Sequence, residues 1–333
     1  MKKLLAVLLA MFLVFTFVGA YTVSMVTDTG GLGDQSFNDG TWNGVLWAQE
    51  EFGVEGKVIQ SREQADYIPN LSKAADESEV VIAVGFMMQD ALQQVAAQFP
   101  DTKFIGIDFD LSGAGLPNVK TYTFKEHECA FLAGYLAGMM SETGQVGFVG
   151  GIKVPAVARF EVGYRAGVKM WNMVWDEDVE VLIGYTQTFT DAQMGKNLTE
   201  AQYSQGADIV FAAAGLCGLG TFEAAKSAGD GYFAIGVDVD QDHLAPGKIL
   251  TSAMKGLAVS SFVGIADAYE GYFEPGHEEL GLLEDGVGLS EMKYTKDIIP
   301  QFLLLEIEGL KAMAVDGELE IPATEEELAA FGE

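Results

Sequence analysis

The chain is short of positive charge. Its 333 residues include 19 Lys and Arg against 49 Asp and Glu, a formal net charge of −30. That balance excludes nucleic acid as a partner, because a phosphate backbone needs basic patches to bind it. It also works against free phosphorylated ligands, which would approach an acidic surface against its field. Only two cysteines are present, Cys129 and Cys217, so no disulfide framework is available. Cys129 lies in the apolar helical run HECAFLAGYLAGMM and reads as a core thiol. The three histidines, His127, His243 and His277, are scattered without metal-ligand spacing. Neither a G-x-S-x-G elbow nor an H-E-x-x-H helix occurs. These absences leave binding ahead of chemistry, with no cofactor implied.

Long hydrophobic runs are also missing, with one exception at the start. Lys2 and Lys3 precede the apolar stretch Leu4 to Val18, and Val18-Gly19-Ala20 supplies small residues for cleavage. This is the pattern of a secretory signal peptide over residues 1–20, cut near Ala20. The run falls short of the roughly 20 residues that a spanning helix needs. No cysteine lies near the cut, so no lipid anchor is expected, and the rest of the chain is expected to be periplasmic or secreted.

What remains exceeds one ordinary core and fits two domains of roughly 150 residues. Strand, turn and helix alternate. Strands are predicted at 22–26, 57–60, 80–84, 103–107 and 119–123, and then at 145–150, 179–185, 209–213, 232–237 and 249–254. Segments such as VVIAVG and KFIGID are apolar almost throughout, as parallel strands covered on both faces must be. Helices are predicted between them, at 38–52, 67–77, 90–99, 156–174, 191–205 and 219–228, with later ones at 259–272 and 299–315. Two runs of βαβ units imply an α/β protein of two doubly wound lobes. The late elements are too few for a third domain and read as the chain crossing back. The first lobe is expected to span residues 21–123 plus 253–285, the second 124–252 plus 286–333.

Ligands of open α/β sheets bind beyond the carboxyl ends of the strands, so those ends are where function is sought. After the first strand comes TDTGGLGDQSFNDG. It breaks the dinucleotide fingerprint at its third glycine, and Asp34 would repel a pyrophosphate. Asp34 and Asn38 suit a neutral ligand with N–H or hydroxyl donors, or Asp34 caps the helix start. Phe37, between them, either staples that helix or faces a ligand ring. Asp108 follows four apolar positions in FIGID, where a carboxylate needs a ligand donor or a salt bridge. In the second half Phe189 sits between strand and helix as Phe37 does, so the two rings could clamp a flat ligand. Gly215 permits close backbone approach. Asp238 can accept from two vicinal hydroxyls, and Lys255 ends the last strand as a donor balanced by Asp238. The acids Asp238, Asp240 and Asp242 alternate as in a calcium loop, but its Gly and final Glu are absent.

The ordered set DQSFND, FIGID, AGYLAG, GIKVPAVARFEVGYRAG, FTDAQMGK, AAAGLCGLG, GVDVDQ and TSAMK resembles the basic membrane protein family, nucleoside receptors of bacterial ABC importers. The resemblance runs from Tyr21 to about Pro322. It implies a type I periplasmic-binding-protein fold with three interlobe crossings. It also implies a purine nucleoside, such as guanosine, inosine or adenosine, stacked between Phe37 and Phe189 and passed to an ABC permease. Asp34, Asn38 and Asp108 would then read the base, Asp238 and Lys255 the ribose, and Gly215 would approach the sugar. Members are often lipoproteins, and this chain lacks their cysteine. Gly215-Leu216-Cys217-Gly218 also replaces a Gly-Gly-Thr-Gly type turn, which removes a hydroxyl near the sugar. A sugar or autoinducer receptor of the same fold is one alternative, and a calcium-dependent nucleoside hydrolase is another.

Overall fold

The computed structural model describes residues 21–332, and the expected signal segment lies outside the described residues. Five strands come first: β1 (Thr22–Val26), β2 (Glu55–Ile59), β3 (Val80–Val84), β4 (Lys103–Ile107) and β5 (Val119–Phe124). Five more follow: β6 (Gln145–Gly150), β7 (Glu180–Tyr185), β8 (Ile209–Ala213), β9 (Phe233–Asp238) and β10 (Ile249–Lys255). Two short strands, β11 (Gly276–Leu280) and β12 (Val287–Leu289), complete the set. They form two six-stranded sheets, in the orders β11-β5-β4-β3-β1-β2 and β12-β10-β9-β8-β6-β7. Every pairing in both is parallel except β10 with β12. β1 and β3 are buried along their whole length, which is why they carry no polar alternation.

Helices α1 (Phe37–Phe52), α2 (Tyr67–Glu77) and α3 (Gln89–Ala96) connect the first strands. α4 (Glu126–Met140), α5 (Pro155–Trp175), α6 (Ala192–Ser204) and α7 (Cys217–Ala228) serve the second series. α8 (Leu257–Glu270), α9 (Gln301–Val315) and α10 (Glu325–Ala330) come last. α4 is apolar around its circumference and correspondingly buried, with Cys129, Phe131, Leu132 and Leu136 in the core. It lies so close to α5 that a Cβ on Gly167 would sit 2.0 Å from the carbonyl oxygen of Phe131.

The chain passes between the sheets three times: after β5, after β10 and after β11. Backbone hydrogen bonds tie the three crossings side by side. Lys125 N donates to Leu280 O at 2.9 Å, and Gly256 N donates to Gly286 O at 2.8 Å. This is the two-lobed, doubly wound α/β architecture that the resemblance implies.

The departures are local. β11 and β12 were not anticipated as strands, since GHEEL is half polar and β12 is only three residues long. Each lies at a sheet edge with one paired neighbour, so neither must be apolar on both faces. α3 ends at Ala96 instead of reaching Phe99. Pro100 disfavours helical backbone at Phe99, and the Asn118 amide takes up the carbonyls left at the helix end, donating to Ala96, Phe99 and Thr102 at 3.1, 2.9 and 3.1 Å.

Candidate functional site

The strand carboxyl ends of both sheets converge on one cavity with about 630 Å³ of empty space, part of it open to solvent. The structure brings Asp34, Phe37, Asn38, Asp108, Phe189, Gly215, Asp238 and Lys255 together in its lining.

The first wall is built by the turn between β1 and α1. Asp34 Oδ1 accepts from the backbone N–H of Ser36 at 3.0 Å and of Asp39 at 3.1 Å. Its Oδ2 accepts from Asn38 N at 2.8 Å and Asn38 Nδ2 at 3.1 Å. The carboxylate therefore serves the orphan donors of the helix start and acts on the cavity by holding Asn38 in place. Asn38 Nδ2 also donates to Asp28 Oδ1 at 2.9 Å, while Asn38 Oδ1 is buried without a partner. Phe37, the first residue of α1, sits against Gly85, whose φ of 104° brings the backbone after β3 close to the ring.

Asp108 and Asp238 occupy matching places, each closing a β-strand in the left-handed region with φ of 72° and 67°. That conformation turns the chain sharply away and leaves the carboxylate at the cavity; Asp tolerates it better than most residues. Lys255 Nζ lies 2.6 and 2.7 Å from the two oxygens of Asp108, across the lobes, and 3.2 Å from Glu126 Oε1. Arg159 Nε holds the other Glu126 oxygen at 2.5 Å, so two cations and two anions form a buried neutral cluster. Burial works against the Lys255 charge, but Asp108, Glu126 and Asp238 more than offset it, and its pKa rises above the ordinary lysine value. The ammonium also lies 4.9 Å from the Phe37 ring centroid, which fixes both groups.

The second wall carries Phe189, packed against Gly151 and Gly215. Gly215, at φ 55°, brings the chain between β8 and α7 up to that ring. Asp238 Oδ2 accepts from the Ser36 hydroxyl at 2.6 Å, and Gln241 Nε2 donates to Gln35 O at 2.8 Å. Both bonds cross from one lobe to the other, so the cleft is closed. Burial, opposed by Lys255 and Ser36, pushes the Asp238 carboxyl up to about 7. Burial likewise pushes Asp28 up to about 6, against hydrogen bonds from Asn38 and Gly30.

Several lining or supporting residues were not read from the sequence. Asp28 and Phe160 line the cavity, and Glu126 and Arg159 stand behind Lys255. Asp28 could have been found as the first carboxylate after β1; Glu126 and Arg159 lie inside helix patterns with no local signal. Phe211 is fully buried, packed edge-on to Phe148 and Phe160. Asp242 faces away from the cavity, accepting from Lys293 N at 3.0 Å. Among the described residues no three His, Cys, Asp or Glu side chains are grouped to hold a metal ion.

A family model described as ABC transporter substrate-binding protein, PnrA-like (Bmp), matches residues 21–325. Basic membrane protein A1 of Borrelia garinii subsp. bavariensis is 36% identical over 313 residues, 93% of this chain and 90% of that one. The CD4+ T-cell-stimulating antigen of Listeria monocytogenes is 34% identical, covering 91% of this chain and 88% of its own. Among solved structures, an ABC transporter solute-binding protein from Aeropyrum pernix superposes with a TM-score of 0.86 at 31% identity, over 93% of this chain and 96% of that one. Such receptors work outside the cytoplasm, and among the described residues no helix is long and apolar enough to cross a membrane. By its sequence over nearly its whole length and by its two-lobed fold, this chain belongs to the PnrA-like (Bmp) family of ABC transporter substrate-binding proteins.

Proposed function

We propose that this substrate-binding protein captures a purine nucleoside between its lobes and delivers it to an ABC permease. The observation that carries the reading is the pairing of Phe37 and Phe189 on opposite walls of one cavity, among carboxylates that suit an uncharged ligand. A flat base fits between two such rings, each stack contributing on the order of 1–3 kcal/mol. Asn38 and Asp108 stand at the first wall for the base, with Asp34 holding Asn38. Asp238 offers a carboxylate oxygen to sugar hydroxyls, Lys255 sets the charge beside it, and Gly215 lets the backbone approach. The neutral Lys255–Asp108–Glu126–Arg159 cluster contributes no net charge toward a phosphate.

Mass spectrometry of small molecules released on denaturing the purified protein is expected to find a purine nucleoside. A released pentose would replace the nucleoside reading with a sugar receptor. Incubation with inosine should yield no free base, with or without chelator; metal-dependent release of base would make the protein a hydrolase.

A further inference from the structure

We propose that the outer face of α1 and α8, on the first lobe, is the seat of a second copy of this chain, related to the first by a two-fold axis. The proposal does not depend on the nucleoside reading. It starts from how the two helices pack. They run parallel: Gly40 meets Leu257, Gly44 meets Ala258 and Ser261, and Phe52 at the far end meets Tyr269. A Cβ on Gly44 would lie 2.4 Å from the Ala258 carbonyl oxygen, so the pair is closely fitted. Their inner sides join the core through Val45, Ala48, Leu257 and Ile265.

A helix that buries one side ordinarily turns polar residues to the other. These two do not. Leu46, Trp47, Val259, Val263 and Tyr269 stay between 39% and 54% exposed. Trp47 stacks on Phe262 at 4.0 Å between ring centroids, and Phe52 stacks on Phe262 and Tyr269 at 5.6 and 5.0 Å. The rings therefore form one ladder along the groove between the helices. The five exposed side chains present on the order of 500 Å² of apolar surface, the upper range for a monomer and often functional. Two such faces together bury about 1,000 Å² before any polar rim is added, which is the size a specific interface needs.

Charge decides how the copies lie. Neither helix carries Lys or Arg, and Asn43 to Trp47 and Leu257 to Ala266 hold no charged residue. The centre of the face can therefore meet itself without burying a charge. The exposed acids Glu50, Glu51 and Glu270 all stand in the last turns of the helices, at one end of the face. Copies lying parallel would set these acids against one another. An antiparallel two-fold arrangement keeps them at opposite edges, each over the other copy's helix starts, where the macrodipole is positive. Both helices belong to the first lobe, so pairing leaves the second lobe free to swing on the crossings.

Sedimentation equilibrium of the purified protein tests this, at about 50 µM and in about 0.5 M NaCl to screen the net charge. The expected mass is that of two chains, with or without ligand. Leu46→Glu and Val263→Glu, with folding checked by circular dichroism, should each weaken association at least about tenfold, by placing like charges in the shared centre. Leu305→Glu, at an exposed position on α9 outside this face, should leave the dimer intact. A single-chain mass for the wild-type protein would overturn the proposal and leave the face to a different protein. A dimer that Leu305→Glu dissolves while Leu46→Glu and Val263→Glu do not would overturn it as well.

Discussion

Phe37 is positioned by three neighbours at once: Gly85 beneath its edge, the Lys255 ammonium over its face and α1 carrying its backbone. A ring held this firmly is ready to stack without first being ordered, so its removal should be felt in binding more than in folding. Phe37→Ala is expected to weaken nucleoside binding by roughly 1–3 kcal/mol in calorimetry while leaving the melting transition in place. Asp238 makes a second prediction. Its carboxyl titrates near 7 in the fold against an ordinary value of 3.8, raised chiefly by burial. Between those values the folded state holds a proton that the unfolded chain has released. Its contribution is therefore full at low pH and is lost as pH rises through about 7. The ligand-free protein should melt at progressively lower temperature from pH 5 to pH 8, and Asp238→Asn should flatten that slope. A slope identical in the variant would move the effect to other acids.

At the scale of elements, the glycines between α4 and α5 are expected to matter more than any polar contact on those helices. A methyl on Gly167 would meet the Phe131 carbonyl at 2.0 Å and the Tyr135 nitrogen at 2.7 Å, both backbone atoms that cannot swing away. Gly167→Ala should therefore destabilise the protein by about 1–3 kcal/mol in denaturant unfolding, despite the better helix propensity of Ala. The central strands were readable in the sequence because burial on both faces leaves no room for polar alternation, as in VVIAV of β3. β11 was not, because an edge strand with His277, Glu278 and Glu279 carries no such constraint. The loop signals that singled out Phe37, Asp108, Phe189 and Asp238 are local: a side chain of unexpected type directly after a strand. Glu126 and Arg159 give no such signal, since their partnership with Lys255 exists only once α4, α5 and β10 are packed together. Asp28 was masked by the glycines after it, which drew the reading toward the loop.

The whole molecule is held closed by bonds that run from lobe to lobe: Ser36 to Asp238, Gln241 to Gln35, and Lys255 to Asp108. Hinge motion between two lobes joined by three adjacent crossings would break these together, and a ligand touching both walls would restore them. Ser36→Ala should therefore shift the ligand-free protein toward the open form, seen as a larger radius of gyration in X-ray scattering, with saturating ligand bringing it back. An unchanged radius would mean that the other two bonds suffice. The central claim is that the closed cleft is shaped for a purine nucleoside. Titration calorimetry of the ligand-stripped protein with guanosine and, separately, with ribose tests it most directly. The account predicts one nucleoside bound per chain and no measurable heat from ribose; ribose binding with no response to any purine nucleoside would contradict it.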